Sequence, residues 1–216
     1  MHGGVQELVI FGVSLNRGVV VSSLVITAVL VLLALLVTRN LRERPSGVQS
    51  LVEYAYEYLV GVIESSVPEG ARGCAPVVIT LFLFILFSNL IGVIPWFESP
   101  TADVNVPIGL ALVVLAMMVY YGIKSKGLVG YLKSFIRPNV LFLPINLIET
   151  FTKPITLAFR LFGNIFAGEL LIVILVRLIP IGVPTAFSLF HIFIGVIQAY
   201  LFFMLSLAYI AVAYEE

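Results

Sequence analysis

The sequence predicts an all-α integral membrane protein with about five transmembrane helices, and three observations lead to this fold class. Hydrophobic residues make up 61% of the 216 residues and charged residues only 11%. A water-soluble domain needs about 25% charged residues to cover its surface. Five apolar stretches, four of them uncharged, are each long enough to cross a bilayer. Most of the molecular surface is therefore expected to face lipid.

The five apolar stretches set the predicted spans within a single membrane domain of residues 1–216. These spans cover residues 19–38, 76–97, 104–123, 152–178 and 184–213. A helix of 27 residues is about 40 Å long, whereas the hydrocarbon core of a bilayer is about 30 Å thick. The last two spans are therefore predicted to form a long tilted hairpin, unless their ends protrude from the membrane.

One or two further helices are predicted to lie along the membrane surface. Between Leu51 and Glu64, acidic side chains fall on one helical stripe, apolar side chains fall on the other, and three tyrosines suit the interface. The stretch from Pro138 to Thr150 is too short to span and contains Pro144. We interpret it as an interfacial or re-entrant entry to the fourth span.

Basic residues predict the orientation of the bundle. They cluster after the first span and after the third span, at Arg39, Arg42, Arg44, Lys124, Lys126, Lys133 and Arg137. Because cytoplasmic loops carry the excess of lysine and arginine, both clusters are expected to be cytoplasmic. An odd number of spans then leaves the N-terminus outside and the C-terminus in the cytoplasm.

Composition and motifs exclude several classes of function. Twelve basic residues balance twelve acidic residues, so no charge excess indicates a nucleic-acid partner. Cys74 is the only cysteine, which excludes an intramolecular disulfide and a clustered thiolate metal site. No Walker-type or GxGxxG loop is present. We therefore expect no cofactor, no metal site and no nucleotide site in this chain.

Arg160 is the charged residue that the apolar pattern does not explain. It lies eight residues into the fourth predicted span, where inserting an arginine costs about 3 kcal/mol or more. The charges of Lys153 and Glu169 are about 10 and 13 Å away along the same helix, too far for a close pair. A structural salt bridge to another span is one explanation, and a role in ion transport is the other.

Polar residues on the last two spans fall at matched depths. With a turn near Ile181, Glu169 lies about 18 Å and His191 about 15 Å from the turn. Asn164 and Gln198 both lie about 25 Å from it. Because Glu and His can exchange protons near neutral pH, these residues predict a polar ladder that descends from the outer side toward the arginine.

Two other polar residues have an ordinary explanation beside the functional one. Asp103 falls in an outer loop, where it is either a solvated surface acid or part of the entrance to an ion path. Thr156 lies one turn before Arg160 and either joins that path or bonds only its own helix backbone.

Four segments carry a resemblance to a known family. The segment TKPITLAFRLFGNIFAGELL, residues 152–171, resembles the signature of subunit a of F-type (rotary) ATP synthases. Three more segments match in order and spacing, namely FSNLIGVIPWFESPTADVNVP, LPINLIE and HIFIGVIQAYLFFMLSLAYI. Together they cover most of the chain from Pro76 onward.

The resemblance implies a stator ion-channel subunit that is fixed beside a ring of small ion-carrying membrane subunits and contacts a membrane subunit of the peripheral stalk. Two offset half-channels would pass protons to and from the ring carboxylates, which couples proton flow to ATP synthesis. The chain would be non-catalytic, because the nucleotide sites belong to other subunits. An energy-transducing membrane, the bacterial plasma membrane, is the expected location.

Site residues are carried over by motif. Arg160 would be the essential arginine that separates the half-channels. Asp103 would lie near the mouth of the outer half-channel. The residues lining the outer half-channel would be Asn164, Glu169, His191 and Gln198, and Thr156 and Glu149 are assigned to the inner one.

Two other classes of protein compete with this interpretation. An independent proton channel or secondary transporter would suit the intramembrane charges, but such transporters are expected to contain two homologous halves, and no internal repeat is found. A membrane hydrolase using Glu169 and His191 would need a nucleophile or a metal-ligand motif, and neither is evident.

Overall fold

A computed structural model describes residues 7–10, 13–39, 47–92, 99–136, 139–179 and 182–215. Six long helices occur in these ranges, α1 Arg17–Arg39, α2 Val48–Ser66, α3 Ala75–Ile91, α4 Asn105–Ser134, α5 Leu143–Leu178 and α6 Val183–Glu215. Among the described residues, α1, α4, α5, α6 and α3 with its preceding turn are long and apolar enough to cross a membrane. The predicted fold class is confirmed.

A short β-hairpin precedes the helices and was not predicted. Strand β1, Glu7–Ile10, pairs in antiparallel register with strand β2, Val13–Asn16. The second strand runs directly into α1, and Oδ1 of Asn16 accepts a hydrogen bond from the Gly18 amide at 2.9 Å. This bond satisfies an amide of the first helical turn, which otherwise has no partner in the helix.

Helix α1 lies at the edge of the bundle. Only Val19, Ser22 and Ile26 of its side chains are buried. Two exposed or half-exposed hydroxyls, those of Ser23 and Thr27, each donate to the carbonyl four residues earlier at 2.8 Å. Because these two hydroxyls are satisfied within the helix, they can face hydrocarbon without an unpaired donor.

Helix α6 is the centre of the bundle and packs against α3, α4 and α5. Its buried face carries Phe202, Phe203 and Leu207, which join one cluster with Ile85 of α3 and Leu161 of α5. Lipid tails are as apolar as these side chains, so close packing rather than exclusion of water stabilises the contacts.

Helix α4 is longer than its predicted span. The prediction for residues 104–123 stopped before the lysines, but the helix continues to Ser134 across a kink at Gly127. There φ is 71° and ψ is 165°, a backbone conformation that is essentially restricted to glycine. The kink changes the direction of the chain, so the last turns of α4 are a separate short segment.

The predicted entry to the fourth span, as far as it is described, is continuous with that span. After a 3-10 turn at Val140–Phe142, α5 begins at Leu143 and runs without a break to Leu178. Pro144 does not break it, because the first turn of a helix needs no amide donor at that position. At 36 residues, α5 is about 54 Å long, which exceeds the thickness of the hydrocarbon core.

Helices α5 and α6 pack against each other, as the predicted long hairpin requires. The predicted turn near Ile181 and the end of the second predicted span, residues 93–97, lie outside the described residues. Helix α2 packs on the bundle through Leu59 and Ile63 and leaves Leu51 and Tyr54 largely exposed, as an interfacial amphipathic helix would.

Candidate functional site

Arg160 lies on an exposed lateral face of α5. Within the described part of the chain, no carboxylate or hydrogen-bond acceptor pairs with its guanidinium. Ile155, Phe159 and Phe166 of the same helix are each about half exposed, and they lie to one side of Arg160, about 100–140° away around the helix axis. The alternative of a salt bridge to another span therefore finds no support among these residues. Arg160 is also not buried within the chain, contrary to what its position in an apolar span implied.

Glu149, Lys153 and Thr156 share the helix face of Arg160. At 100° per residue, all three fall within about 40° of the arginine around the helix axis. Lys153 Nζ lies 2.9 Å from Oε1 of Glu149. The hydroxyl of Thr156 donates to the Thr152 carbonyl at 2.8 Å, so its hydrogen is used within its own helix, while its side chain remains exposed.

A polar cavity of about 370 Å³ opens beside this face, between the end of α4, the start of α5 and the end of α6. Its polar side chains are those of Lys126, Tyr131, Ser134, Asn146, Glu149, Thr150, Lys153 and Tyr209. A second, more open cavity shares Glu149, Lys153 and Tyr209 and extends to Thr156. We call the first cavity the polar recess. The second cavity, whose lining is mostly apolar, continues from it past Glu149 and Lys153 to Thr156, one turn before Arg160.

Glu169 and His191 lie at a similar level of the hairpin, toward the end at which α5 ends and α6 begins. The imidazole of His191 packs directly against Gly168, so that a methyl group at this glycine would collide with the ring. Glu169 follows Gly168 in the sequence, is half-buried, and directs its carboxylate toward the end of α3. A methyl group built on Gly92 would stand 3.2 Å from Oε1 of Glu169. The hairpin thus brings both ionisable side chains to one level.

His191 and Gln198 lie on one buried face of α6. Each is 4% exposed, and they are seven residues apart, which is two helical turns. Nε2 of Gln198 is buried and has no hydrogen-bond partner among the described residues. Asn164 of α5 is half-buried one turn after Arg160.

The predicted ladder toward the arginine does not follow one side of α5. Arg160 and Glu169 are nine residues apart, which places them on opposite faces of the helix and about 13 Å apart along its axis. Leu161 and Ile165, both buried, occupy the face between them. Asn164 lies within about 40° of the arginine and is closer in angle to it than to Glu169.

Asp103 caps the start of α4. Its Oδ1 accepts hydrogen bonds from the backbone amide and the side-chain amide of Asn105, both at 2.9 Å. The carboxylate is half-buried and is not a free surface acid. A carboxylate at this position is also stabilised by the positive N-terminal end of the helix dipole.

Three buried polar residues near this region were missed by the sequence analysis. Asn89 of α3 donates through Nδ2 to the Gly195 carbonyl at 2.9 Å and accepts through Oδ1 from the Thr101 hydroxyl at 2.9 Å. The hydroxyls of Ser99 and Thr101 are 2.8 Å apart. An asparagine inside a predicted apolar span was the available signal for this site, because polar groups at that depth need partners.

No group of three or more His, Cys, Asp or Glu side chains that could hold a metal ion occurs in the described ranges. The chemistry that the polar groups offer there is proton exchange and fixed charge. Five helices that can cross a membrane, an exposed arginine on one of them, and the half-buried Glu169 and buried His191 at another level define a multi-pass membrane protein with ionisable side chains inside its spans.

Comparison with known proteins specifies the family. Residues 20–211 match the family described as ATP synthase A chain. The "ATP synthase subunit a" of Desulforamulus reducens is 38% identical over 212 residues, which cover 94% of this chain and 81% of that protein. The "ATP synthase subunit a" of Staphylococcus carnosus is 41% identical over 208 residues, which cover 87% of this chain and 86% of that protein. The chain belongs to the ATP synthase A chain family.

Proposed function

We propose that this chain is the fixed, non-catalytic, proton-conducting subunit of a rotary ATP synthase. The observation that carries the proposal is that Arg160 is exposed on a lateral face of α5 in a span long and apolar enough to cross a membrane, without a hydrogen-bond or ion-pair partner in the described ranges. A permanent charge is costly in hydrocarbon, about 3 kcal/mol or more. A partner that brings a carboxylate to this face offsets that cost. A ring of small membrane subunits, each with one ion-carrying carboxylate, is such a partner.

Two polar regions on opposite faces of α5 are consistent with two offset half-channels. Glu169, His191 and Gln198 belong to the outer one, with Asp103 near its mouth, and Asn164 would join it at the level of the arginine. Glu149 and Thr156 belong to the inner one, where water would fill the polar recess.

The mechanism follows from the chemistry of arginine. Its guanidinium does not release a proton in proteins, so it interrupts a proton wire and still attracts an ionised carboxylate. At an effective dielectric of about 20, the attraction at 4 Å is about 4 kcal/mol, weak enough to be reversed by the next step. A proton from the outer half-channel neutralises a ring carboxylate, which then enters the lipid. Each proton that crosses 100 mV supplies about 2.3 kcal/mol.

Location and further partners are part of the same proposal. The lysines near the end of α4 and the positive-inside rule favour a cytoplasmic C-terminus and an outer N-terminus. The bacterial plasma membrane is the proposed site, since the named relatives are bacterial proteins. A membrane subunit of the peripheral stalk is proposed to hold the chain against rotation.

Site-directed crosslinking in the assembled complex tests the proposed partner. The only native cysteine, Cys74, is buried and can be replaced by alanine. Phe159 precedes Arg160 in the sequence and is 57% exposed, and the control residue Leu24 of α1 is 64% exposed. Each is replaced by cysteine in turn. We expect Phe159→Cys to form an adduct with a small ring subunit and Leu24→Cys to form none. If mass spectrometry of the native complex finds no ring subunit, an independent channel or transporter replaces this proposal.

A further inference from the structure

A chain of buried hydrogen bonds joins three separate parts of the molecule at the end of α3. It begins at the Gly195 carbonyl of α6, passes through the Asn89 amide of α3 and reaches the Thr101 hydroxyl in the 3-10 turn Pro100–Ala102. Ser99 extends it, since its hydroxyl lies 3.0 Å from the Ser88 carbonyl and 2.8 Å from that of Thr101. We call the residues Ser99, Thr101, Asn89 and Gly195 the outer clip.

The hydrogens in the outer clip are assigned by its fixed acceptors. A carbonyl only accepts, so Asn89 must turn Nδ2 toward Gly195 and Oδ1 toward Thr101. Thr101 then gives its single hydrogen to Asn89 and is an acceptor toward Ser99. Ser99 has one hydrogen for two acceptors, the Ser88 carbonyl and the Thr101 hydroxyl. The bond from the Thr101 hydroxyl to Oδ1 of Asn89 therefore has no alternative donor within the outer clip.

Close packing reinforces the outer clip. A methyl group on Gly195 would stand 3.0 Å from Cβ of Asn89, closer than ordinary packing allows. A methyl group on Gly92, one turn after Asn89, would stand 2.6 Å from Cβ of Ser99 and 3.2 Å from the Glu169 carboxylate. Both glycines thus permit the approach of α6 and of the 3-10 turn to α3.

The outer clip lies close to His191, Gln198 and Glu169 of the proposed outer half-channel. Gly195 is four residues after His191 and three before Gln198, so all three share one helix face. The same end of α3 contacts Glu169. Fixing α6 at the Gly195 carbonyl therefore fixes the depth of His191 and Gln198 relative to Glu169.

We propose that Asn89, Thr101 and Ser99 are positioning residues that clip the 99–103 turn and α6 to the end of α3 and so align the outer half-channel. This inference rests on the proposed function of that half-channel. The clip residues need not carry protons themselves. Their contribution is to keep His191, Gln198 and Glu169 in register, since small misplacements of reacting groups slow proton transfer steeply.

Thr101→Val tests the proposal, because it removes the hydroxyl and keeps the shape of the side chain. Thr80→Val is the matched control, since Thr80 is exposed on α3 and donates only to the Pro76 carbonyl of its own helix, at 2.7 Å. Thr101→Ser restores the hydroxyl. We expect Thr101→Val to slow proton-driven ATP synthesis in vesicles about fivefold, the ratio that corresponds to one buried hydrogen bond. Thr80→Val and Thr101→Ser should match the unmodified protein.

Two further readouts separate positioning from conduction. Amide hydrogen exchange of the assembled complex should become faster in residues 99–105 for Thr101→Val alone. In a Gln198→Leu background the effect of Thr101→Val should shrink below about twofold, because coupled residues do not contribute additively. If Thr101→Val does not assemble, Ser99→Ala, which removes the hydroxyl that bonds the Ser88 carbonyl and contacts the Thr101 hydroxyl, is judged by the same criteria.

The outcomes distinguish this inference from the function on which it rests. Exchange and synthesis in Thr101→Val equal to those of Thr80→Val would overturn the clip, as would an equally large effect with and without Gln198→Leu. Glu169→Gln serves as the reference for the half-channel and should slow synthesis in the same vesicles. If Glu169→Gln slows ATP synthesis and Thr101→Val leaves it unchanged, the outer clip alone is contradicted. If Glu169→Gln leaves ATP synthesis unchanged, the half-channel is contradicted.

Discussion

At the scale of single residues, the site depends on glycines as much as on charges. The imidazole of His191 occupies the space that a side chain at position 168 would fill. Gly109 lies in the first half of α4, and nothing lies within 4 Å of a methyl group built there. Gly168 and Gly109 therefore differ in the space available for a side chain, and they provide a pair of positions for comparison.

We predict that Gly168→Ala slows proton-driven ATP synthesis about tenfold, because the added methyl group displaces the imidazole from the level of Glu169. Gly109→Ala should retain the unmodified rate. Synthesis rates in vesicles, with equal amounts of assembled complex, provide the measurement. Equal rates for the two variants would mean that the packing of His191 against Gly168 has no part in the site.

At the scale of secondary-structure elements, the kink in α4 shapes the polar recess. Gly127 separates the apolar part of the helix from the last turns, which carry Tyr131 and Ser134 of the cavity wall. Lys126, just before the kink, donates to the Ala213 carbonyl of α6 at 3.3 Å. A cation at the end of a helix stabilises the carbonyls that have no partner there.

Gly127→Ala should lower the free energy of unfolding by about 1–3 kcal/mol, the cost of holding a side chain in this backbone conformation. Gly109→Ala, on the same helix with open space around the position, should be neutral or slightly stabilising. Unfolding of the detergent-solubilised protein would be followed for both. An unchanged stability of Gly127→Ala would contradict the kinked geometry of α4.

The extent to which the sequence predicts this structure also depends on scale. Hydropathy identified the helices that can cross a membrane, and the rise per residue brought Glu169 and His191 to similar depths before any fold was known. Hydropathy and the rise per residue both depend only on local sequence. Pro144 misled the prediction because a proline in the first turn of a helix and a proline that ends one look alike in sequence.

Long-range contacts were beyond such arguments. Asn89 and Gly195 are 106 residues apart, and nothing in the local pattern of either helix pairs them. The opposite faces of Arg160 and Glu169 follow from nine residues of helix, but their consequence depends on which face the bundle buries. The polar recess likewise arises from three helices and from a kink that only the backbone conformation reveals.

At the scale of the whole molecule, α5 separates the packed side of the bundle from a lateral surface. One side of it packs into the bundle with Leu157 and Leu161, and the other presents Arg160 to the lateral surface. Polar groups reach the helix from both ends but on different faces. In the proposed mechanism a proton therefore completes its crossing only on a ring subunit that moves past the arginine.

Arg160→Ala measured against Arg177→Ala tests that mechanism most directly. Both arginines are exposed on α5, but Arg177 lies in the last turn, far from the polar recess. With assembled complex verified, ATP synthesis driven by an imposed proton gradient and passive proton leak are measured in the same vesicles. The account predicts that Arg160→Ala abolishes synthesis while the leak stays equal or rises, and that Arg177→Ala retains synthesis. Substantial synthesis in Arg160→Ala, without a compensating second substitution, would contradict it.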